Sequence, residues 1–268
     1  MIEAYLIIAG DKRQLYLKNI LKSQGKDVFH IAYPADLKEL DVIEKYSHII
    51  LPVPLTKDKK TLYSIEPELK IELGFLRDKL LPFHKVYAGG ELSGCKCNVT
   101  DLMKDAVFKR NNALLTAQGT LRVLLDNTES YIIGKKALII GFGDVAETLA
   151  DLLSKNGLRV HIKGRNKTKL ITASMLGYEV SELSKDENRL EAYDFIFGSV
   201  PSNVLTERDI ESIRDEVIYF ELASYPFTAD VNLFSKHGKR YVSGSALPGR
   251  YLPLASAELI ADFVLSSQ

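Results

Sequence analysis

The sequence predicts an α/β protein of two parallel-sheet domains, and three observations carry that expectation. The first is Ala137-Leu138-Ile139-Ile140-Gly141-Phe142-Gly143-Asp144-Val145-Ala146, followed by a helical stretch to Asn156 and the apolar strand 158–162. It spells strand, glycine turn, helix, strand. The second is the alternation of short apolar runs with amphipathic stretches through both halves, the mark of a parallel sheet covered on both faces. The third is 113–126, where Leu114, Ala117, Leu121, Leu124 and Leu125 fall at intervals of three and four on one helix face. Such a helix carries the chain between domains.

In chain order, residues 4–9 form a strand ending at Gly10-Asp11, and Leu15, Leu17, Ile20 and Leu21 mark a helix before Gly25. Residues 27–31 read as a strand, 37–46 as a helix, and 48–54 as a buried strand closed by prolines. A polar, lysine-rich loop (55–64) precedes helical spacing over 66–79, a strand at 85–88 and a turn at Gly89-Gly90; 101–108 then lead to the domain boundary. Beyond the glycine turn come a helix over 167–176, strand 178–180, a charged segment to Glu191, and strand 194–197. Then follow a helix near 206–213, strand 217–220, a loop over 221–230, strand 240–242, and an apolar tail, 254–265, expected as a buried helix against the first domain.

The 268 residues are 46% apolar and 26% charged, enough for a real core. With 35 basic and 35 acidic side chains the formal net charge is zero, which gives no overall attraction to nucleic acid or an acidic membrane. Met1-Ile2-Glu3-Ala4 lacks a basic leader and no apolar run approaches bilayer length, so a cytoplasmic protein is expected. Cys95 and Cys97 form a lone C-x-C, too few ligands for zinc. Two reduced thiols and no metal are expected.

The glycine turn has a physical logic. Gly141 and Gly143 allow a tight turn and close backbone approach to a diphosphate, and the small Ala146 lets helix pack on strand. Asp144 and Val145, with Phe142, open the helix whose N-terminal N–H groups favour an anion. A bare G-x-G-x-x-A also occurs in ordinary loops; here the flanks are those a dinucleotide site needs. An NAD site expects a carboxylate about 20 residues on, for the ribose hydroxyls. This chain has Lys163-Gly164-Arg165-Asn166-Lys167, with Lys169 close by. A carboxylate would repel a 2′-phosphate, whereas a guanidinium can bind it bidentately, so NADP is favoured over NAD, against a plain solvated basic turn. Ser199-Val200-Pro201 sits either over the nicotinamide end or at an ordinary strand exit. Chemistry is expected in a cleft between the domains, beyond the carboxyl ends of the strands.

Taken together, Gly10-Asp11-Lys12-Arg13-Gln14, Thr116-Ala117-Gln118-Gly119, Gly141-Phe142-Gly143, Gly164-Arg165, Ser199-Val200-Pro201-Ser202, Leu222-Ala223-Ser224 and Leu247-Pro248-Gly249 resemble the A-subunit family of bacterial dipicolinate synthase, over nearly the whole chain. The resemblance implies a flavodoxin-like N-terminal α/β domain (1–112 plus 252–268) for substrate, a linking helix (113–130), and a Rossmann NADP-binding domain (131–251). It implies oxidation of a dihydrodipicolinate-type dicarboxylate to pyridine-2,6-dicarboxylate, the calcium-chelating acid of endospores, with a flavoprotein-like B subunit as partner. A homo-oligomer is expected. Position by position, Asp11, Arg13 and Gln14 would be catalytic; Thr116, Gln118, Ser224, Pro248, Gly249 and Arg250 would meet substrate; Leu222 and Ala223 would join the cofactor set. Asp11 is a general base or a helix cap, and Arg13 and Arg250 are carboxylate clamps or solvated arginines. Two positions depart from the family pattern: Gln118 replaces a glutamate and Leu254 a lysine. Those losses leave room for a protein that binds NADP without catalysis, as a regulatory subunit would. The 2-hydroxyacid dehydrogenases would instead need a late catalytic histidine, and His237 lies in a polar run; His30, His48, His84 and His161 sit in or beside apolar strands.

Overall fold

A computed structural model describes residues 3–183 and 188–267; Met1, Ile2, Gln268 and residues 184–187 of the charged segment lie outside the described residues. The chain divides into two compact units, Met1–Asn112 with Pro248–Gln268, and Ala113–Leu247.

The first unit is a parallel sheet of β1 (Ala4–Ile8), β2 (Asp27–Ile31), β3 (His48–Ile50), β4 (Lys85–Ala88) and β5 (Asn98–Asp101), in the order β2-β1-β3-β4-β5. That is the flavodoxin-like order. Every residue of β1 is buried, as expected of a strand covered on both faces. Leu6, Ile8, Ile49 and Val86 build one core layer and Tyr5, Ile7, Ile50 and Tyr87 the other. Helices α1 (Lys12–Ser23), α2 (Leu73–Lys79) and α3 (Ala106–Asp126) follow β1, precede β4 and follow β5 in the chain.

The second unit is a six-stranded parallel sheet of β6 (Lys136–Ile140), β7 (Arg159–Gly164), β8 (Glu179–Glu182), β9 (Phe195–Gly198), β10 (Ile218–Glu221) and β11 (Arg240–Ser243). Its order, β11-β10-β9-β6-β7-β8, is the Rossmann order, with the switch point between β6 and β9. The connecting helices are α4 (Asp144–Lys155), α5 (Lys167–Met175), α6 (Glu207–Glu211) and α7 (Val231–Lys236). The chain then returns through α8 (Leu247–Tyr251) and α9 (Pro253–Ser266). On α9, Ala257, Ile260, Ala261 and Val264 join Leu17 and Leu21 of α1 in the first unit's core. Burying Ile260 and Val264 alone contributes on the order of 3–5 kcal/mol. Among the described residues no helix is long and apolar enough to cross a membrane.

The two-domain α/β class is as the sequence predicts, but several local elements are not. Residues 37–46, expected as α-helix, belong to a 3-10 segment, Pro34–Lys45, kinked at Val42 (φ −124°, ψ 30°). Its apolar positions Leu37, Leu40 and Ile43 recur every three residues, which suits the three-residue turn of a 3-10 helix. Helical spacing over 66–79 yields only α2. The strand β5 and the short helices α7 and α8 carry too few residues for a periodic signal. The helix expected from 113 begins at Ala106.

Candidate functional site

The turn between β6 and α4 leaves the helix start without a side-chain cap. Gly141 has φ +98°, and a Cβ there would lie 2.6 Å from Val200 Cγ2 and 2.8 Å from Ser199 Oγ. Only glycine fits that position. Gly143 is the N-cap of α4 and supplies no side chain to it; a Cβ there would meet nothing within 4 Å. The first N–H groups of α4 therefore face space suited to an anion. Asp144 and Glu147 are acidic residues in that first turn. Ala146 is fully buried, as the packing of helix on sheet requires. Phe142 is also buried, edge-on to Tyr178 with ring centroids 6.3 Å apart.

A cavity of about 330 Å³ opens over this turn. Of the residues expected at a cofactor, Gly141, Phe142, Gly143, Gly164, Arg165, Asn166, Lys169, Ser199, Val200 and Pro201 line it, together with Ile140, Leu170, Leu183 and Val204. Asp144 and Val145 stand behind the turn in α4, and Leu222 and Ala223 follow β10 outside the lining. No Asp or Glu is among the described lining residues. Arg165 and Lys169 are exposed at its edge. Asn166 caps α5, its side chain accepting from Lys169 N at 3.1 Å. Lys167 turns away to Glu182, 3.2 Å distant. Lys163 leaves the basic cluster the sequence suggests: it is buried and donates to the backbone oxygen of Asn188, and burial pushes its pKa down. Opposite the turn, Ser199 Oγ donates to Ile140 O at 2.7 Å, fixing the exit of β9 against the end of β6. The residues thus fit a dinucleotide: a glycine cradle a Cβ would fill, an uncapped helix start, and a basic rim.

Asp11, Arg13 and Gln14 also come together, but they face one another. Asp11 is the N-cap of α1 and accepts from Arg13 N at 3.0 Å, while Gln14 Oε1 accepts from Asp11 N at 2.7 Å, a complete capping box. Arg13 Nε donates to Asp11 Oδ1 at 2.9 Å and Nη2 to Oδ2 at 2.8 Å. Burial would raise the Asp11 pKa, but the Arg13 fork, with a smaller contribution from Tyr63, holds it below the usual carboxylate range. Gly249 closes the arrangement, since a Cβ there would lie 2.5 Å from Asp11 Oδ2 and 2.9 Å from Arg13 Nε. Of the two readings of Asp11 the geometry displays the cap, and the Arg13 fork, on a side chain only 3% exposed, is turned to Asp11. Gln14 is fully buried.

The remaining expected substrate residues divide between the units. Thr116 and exposed Gln118 stand on α3 and exposed Ser224 follows β10, all in the second unit; Pro248 is buried and Arg250 exposed on α8, in the first. His237, the histidine a hydroxyacid dehydrogenase would need, pairs with Glu207 at 2.9 Å and does not line the cavity. Cys95 and Cys97 are free thiols, and burial pushes Cys95 up to about 11. Sequence reasoning missed Glu221 and Thr228, whose side chains bond to each other and, through the Thr228 hydroxyl, to the backbone of Val200; a lone carboxylate closing the apolar run 217–220 was the available signal.

Comparison with known proteins agrees with both halves. The model for the N-terminal domain of the dipicolinate synthase A subunit matches residues 4–96, and the model for the NAD binding domain of S-adenosyl-L-homocysteine hydrolase matches 113–245. The dipicolinate synthase A subunit of Bacillus subtilis (strain 168) is 22% identical over 274 residues, covering 96% of this chain and 92% of its own length. The crystal structure of the Bacillus halodurans A subunit superposes with a TM-score of 0.83 at 22% identity, covering 99% of this chain and 97% of that one. The B. subtilis structure gives 0.81 at 20%, covering 100% and 95%. The second unit is an NAD(P)-binding domain, and over both units this chain resembles the A subunit of dipicolinate synthase.

Proposed function

We propose that the chain is an NADP-dependent oxidoreductase that converts a dihydrodipicolinate-type cyclic dicarboxylate to pyridine-2,6-dicarboxylate. The observation that carries this is the uncapped turn at Gly141–Gly143 sharing one cavity with the carboxylate-free, basic edge at Gly164–Lys169. The start of α4 would hold the diphosphate, and the Arg165 guanidinium, with Lys169, a 2′-phosphate. The matching domain model is named for NAD; the basic edge is what favours NADP. Val200 and Pro201 would cover the nicotinamide end.

The bound cofactor would supply the hydride acceptor, and aromatisation of the ring makes the transfer downhill. The protein's work is then to hold the ring against the cofactor and fix its carboxylates. Arg250, exposed on α8 with its guanidinium over the Tyr251 ring, is the cation we assign to a carboxylate. With Asp11 held as a cap, the proton lost on aromatisation passes to water. The relatives are named as the A subunit of a synthase, and a flavoprotein-like B subunit in the cytoplasm fits that name.

Two measurements test the proposal. Titration with each cofactor should give an NADP affinity at least tenfold above that for NAD, and equal affinities overturn the cofactor choice. Protein, NADP and freshly generated dihydrodipicolinate, with and without the partner protein, should produce reduced nicotinamide absorbance and the pyridine product together. Cofactor binding with no turnover in either mixture would instead mark a non-catalytic role.

A further inference from the structure

Val200, in the wall of the cavity, is tied at both backbone groups to one buried side chain. Val200 N donates to Thr228 Oγ1 at 3.0 Å, and Thr228 Oγ1 lies 2.9 Å from Val200 O and 3.2 Å from Glu221 Oε1. A hydroxyl has one proton, so these two acceptors share it. Glu221, at the end of β10, is 2% exposed. Its Oε1 also accepts from Ala223 N at 3.0 Å, and its Oε2 from Thr228 N and from the Tyr219 hydroxyl, each at 3.0 Å. These partners are all neutral, and burial raises the Glu221 pKa against them. Gly198 makes room for the group: a Cβ there would lie 2.1 Å from the Tyr219 hydroxyl and 2.7 Å from Thr228 Cβ. A single carboxyl thus joins the end of β10, the loop after it and the exit of β9.

We propose that Glu221 is a positioning residue for the nicotinamide end of the cofactor site, acting through Thr228 to set Val200 against Gly141 and so fix the width of the cavity there. The inference rests on the dinucleotide reading above. It follows from geometry: Gly141 already leaves no room for a Cβ beside Val200, so a small shift of Val200 alters that end of the site. The rim at Arg165 and Lys169 belongs to a different strand exit, after β7, and among the described residues no hydrogen bond joins it to this network. Glu221 should therefore affect the two ends of a bound dinucleotide unequally.

The test separates the ends. Thr228→Val keeps the shape and removes the hydroxyl, leaving Val200 N–H without its acceptor. NADPH, followed by its nicotinamide fluorescence, should bind about tenfold more weakly, the value of one buried hydrogen bond. Adenosine 2′,5′-bisphosphate, which lacks the nicotinamide half, should bind within about twofold of wild type, and Thr228→Ser should restore NADPH binding. Glu221→Gln should show the same split, because its amide NH₂ must face donors that the carboxylate accepted, and it serves should Thr228→Val fail to fold. Equal losses for NADPH and the bisphosphate would mean a merely structural role and overturn the proposal, as would unchanged NADPH binding in Glu221→Gln. Wild-type protein that binds neither probe would overturn the cofactor reading itself, and this inference with it.

Discussion

The two sheets each begin with a strand, a glycine turn and a helix, and they finish the turn in opposite ways. At Gly10 (φ +93°) the turn is filled: a Cβ there would meet the Gln14 side chain at 2.3 Å, Asp11 caps α1, and Arg13 neutralises the cap. At Gly141 (φ +98°) the next positions are Phe142 and Gly143, and the helix start is left without a side-chain cap. Both turns use the same left-handed glycine at the end of the first strand. What fits one of them for an anion is what the sequence leaves out, since a helix N-terminus is open to an anion only if its own side chains have not already satisfied it.

The largest expected effect comes from emptying the filled turn. Asp11→Ala removes a cap and strands a buried guanidinium, a combination that costs about 3–5 kcal/mol. Urea denaturation should show that loss, while adenosine 2′,5′-bisphosphate binding to the still-folded protein stays unchanged. The same pair gives a pH dependence. The Asp11 pKa is lowered on folding, so its stabilisation is present above the pKa of the unfolded chain and is lost as pH falls through the folded value. Asp11→Asn should flatten that acid limb. An unaltered acid limb would show that the pair does not hold the turn.

Filling the empty turn comes next. Gly141→Ala places a Cβ against Val200 and Ser199 at a positive φ, and NADPH affinity should fall about 100-fold. Near-native melting would show that the damage is local. If the affinity were unchanged, the cavity would not be where the dinucleotide sits. Smaller still is Arg165→Ala: loss of a charge-assisted contact should weaken NADP about tenfold and leave NAD untouched, and a parallel loss for both would sink the 2′-phosphate assignment.

The difference between the turns also explains what the sequence could tell. Gly141-Phe142-Gly143 is legible because its determinants are adjacent: four apolar residues before the glycines and an amphipathic helix after them. The alternation of elements likewise implies two parallel sheets, and both have the doubly wound strand orders. Asp11-Lys12-Arg13-Gln14 is equally local, yet its geometry was not legible. A cap and a base use the same carboxylate, and its surroundings, the Arg13 fork and the close approach of Gly249, include a residue far along the chain. Lys163 is a further instance, since a lysine in a basic run looks solvated until β7 turns it inward toward Asn188. The Glu221–Thr228–Val200 network joins three segments, so no spacing rule announces it.

The smallest expected effect is the most discriminating, because one substitution should move stability and affinity in opposite directions. Gly143→Ser gives the second turn part of what the first one has. Gly143 is in an extended conformation (φ −97°, ψ −174°), and a Cβ meets nothing within 4 Å, so a serine enters without strain. Its hydroxyl can accept from the N–H of Val145 or Ala146, as an N-cap does, which should stabilise α4 by a few tenths of a kcal/mol. That same N–H is then occupied when a diphosphate arrives, and NADPH affinity should drop by about threefold to tenfold. Calorimetric melting and NADPH titration of one preparation read both signs. If stability and affinity rose together, the bare cap position at Gly143 would be an unused helix end; if they part, the missing cap is what reserves α4 for the cofactor.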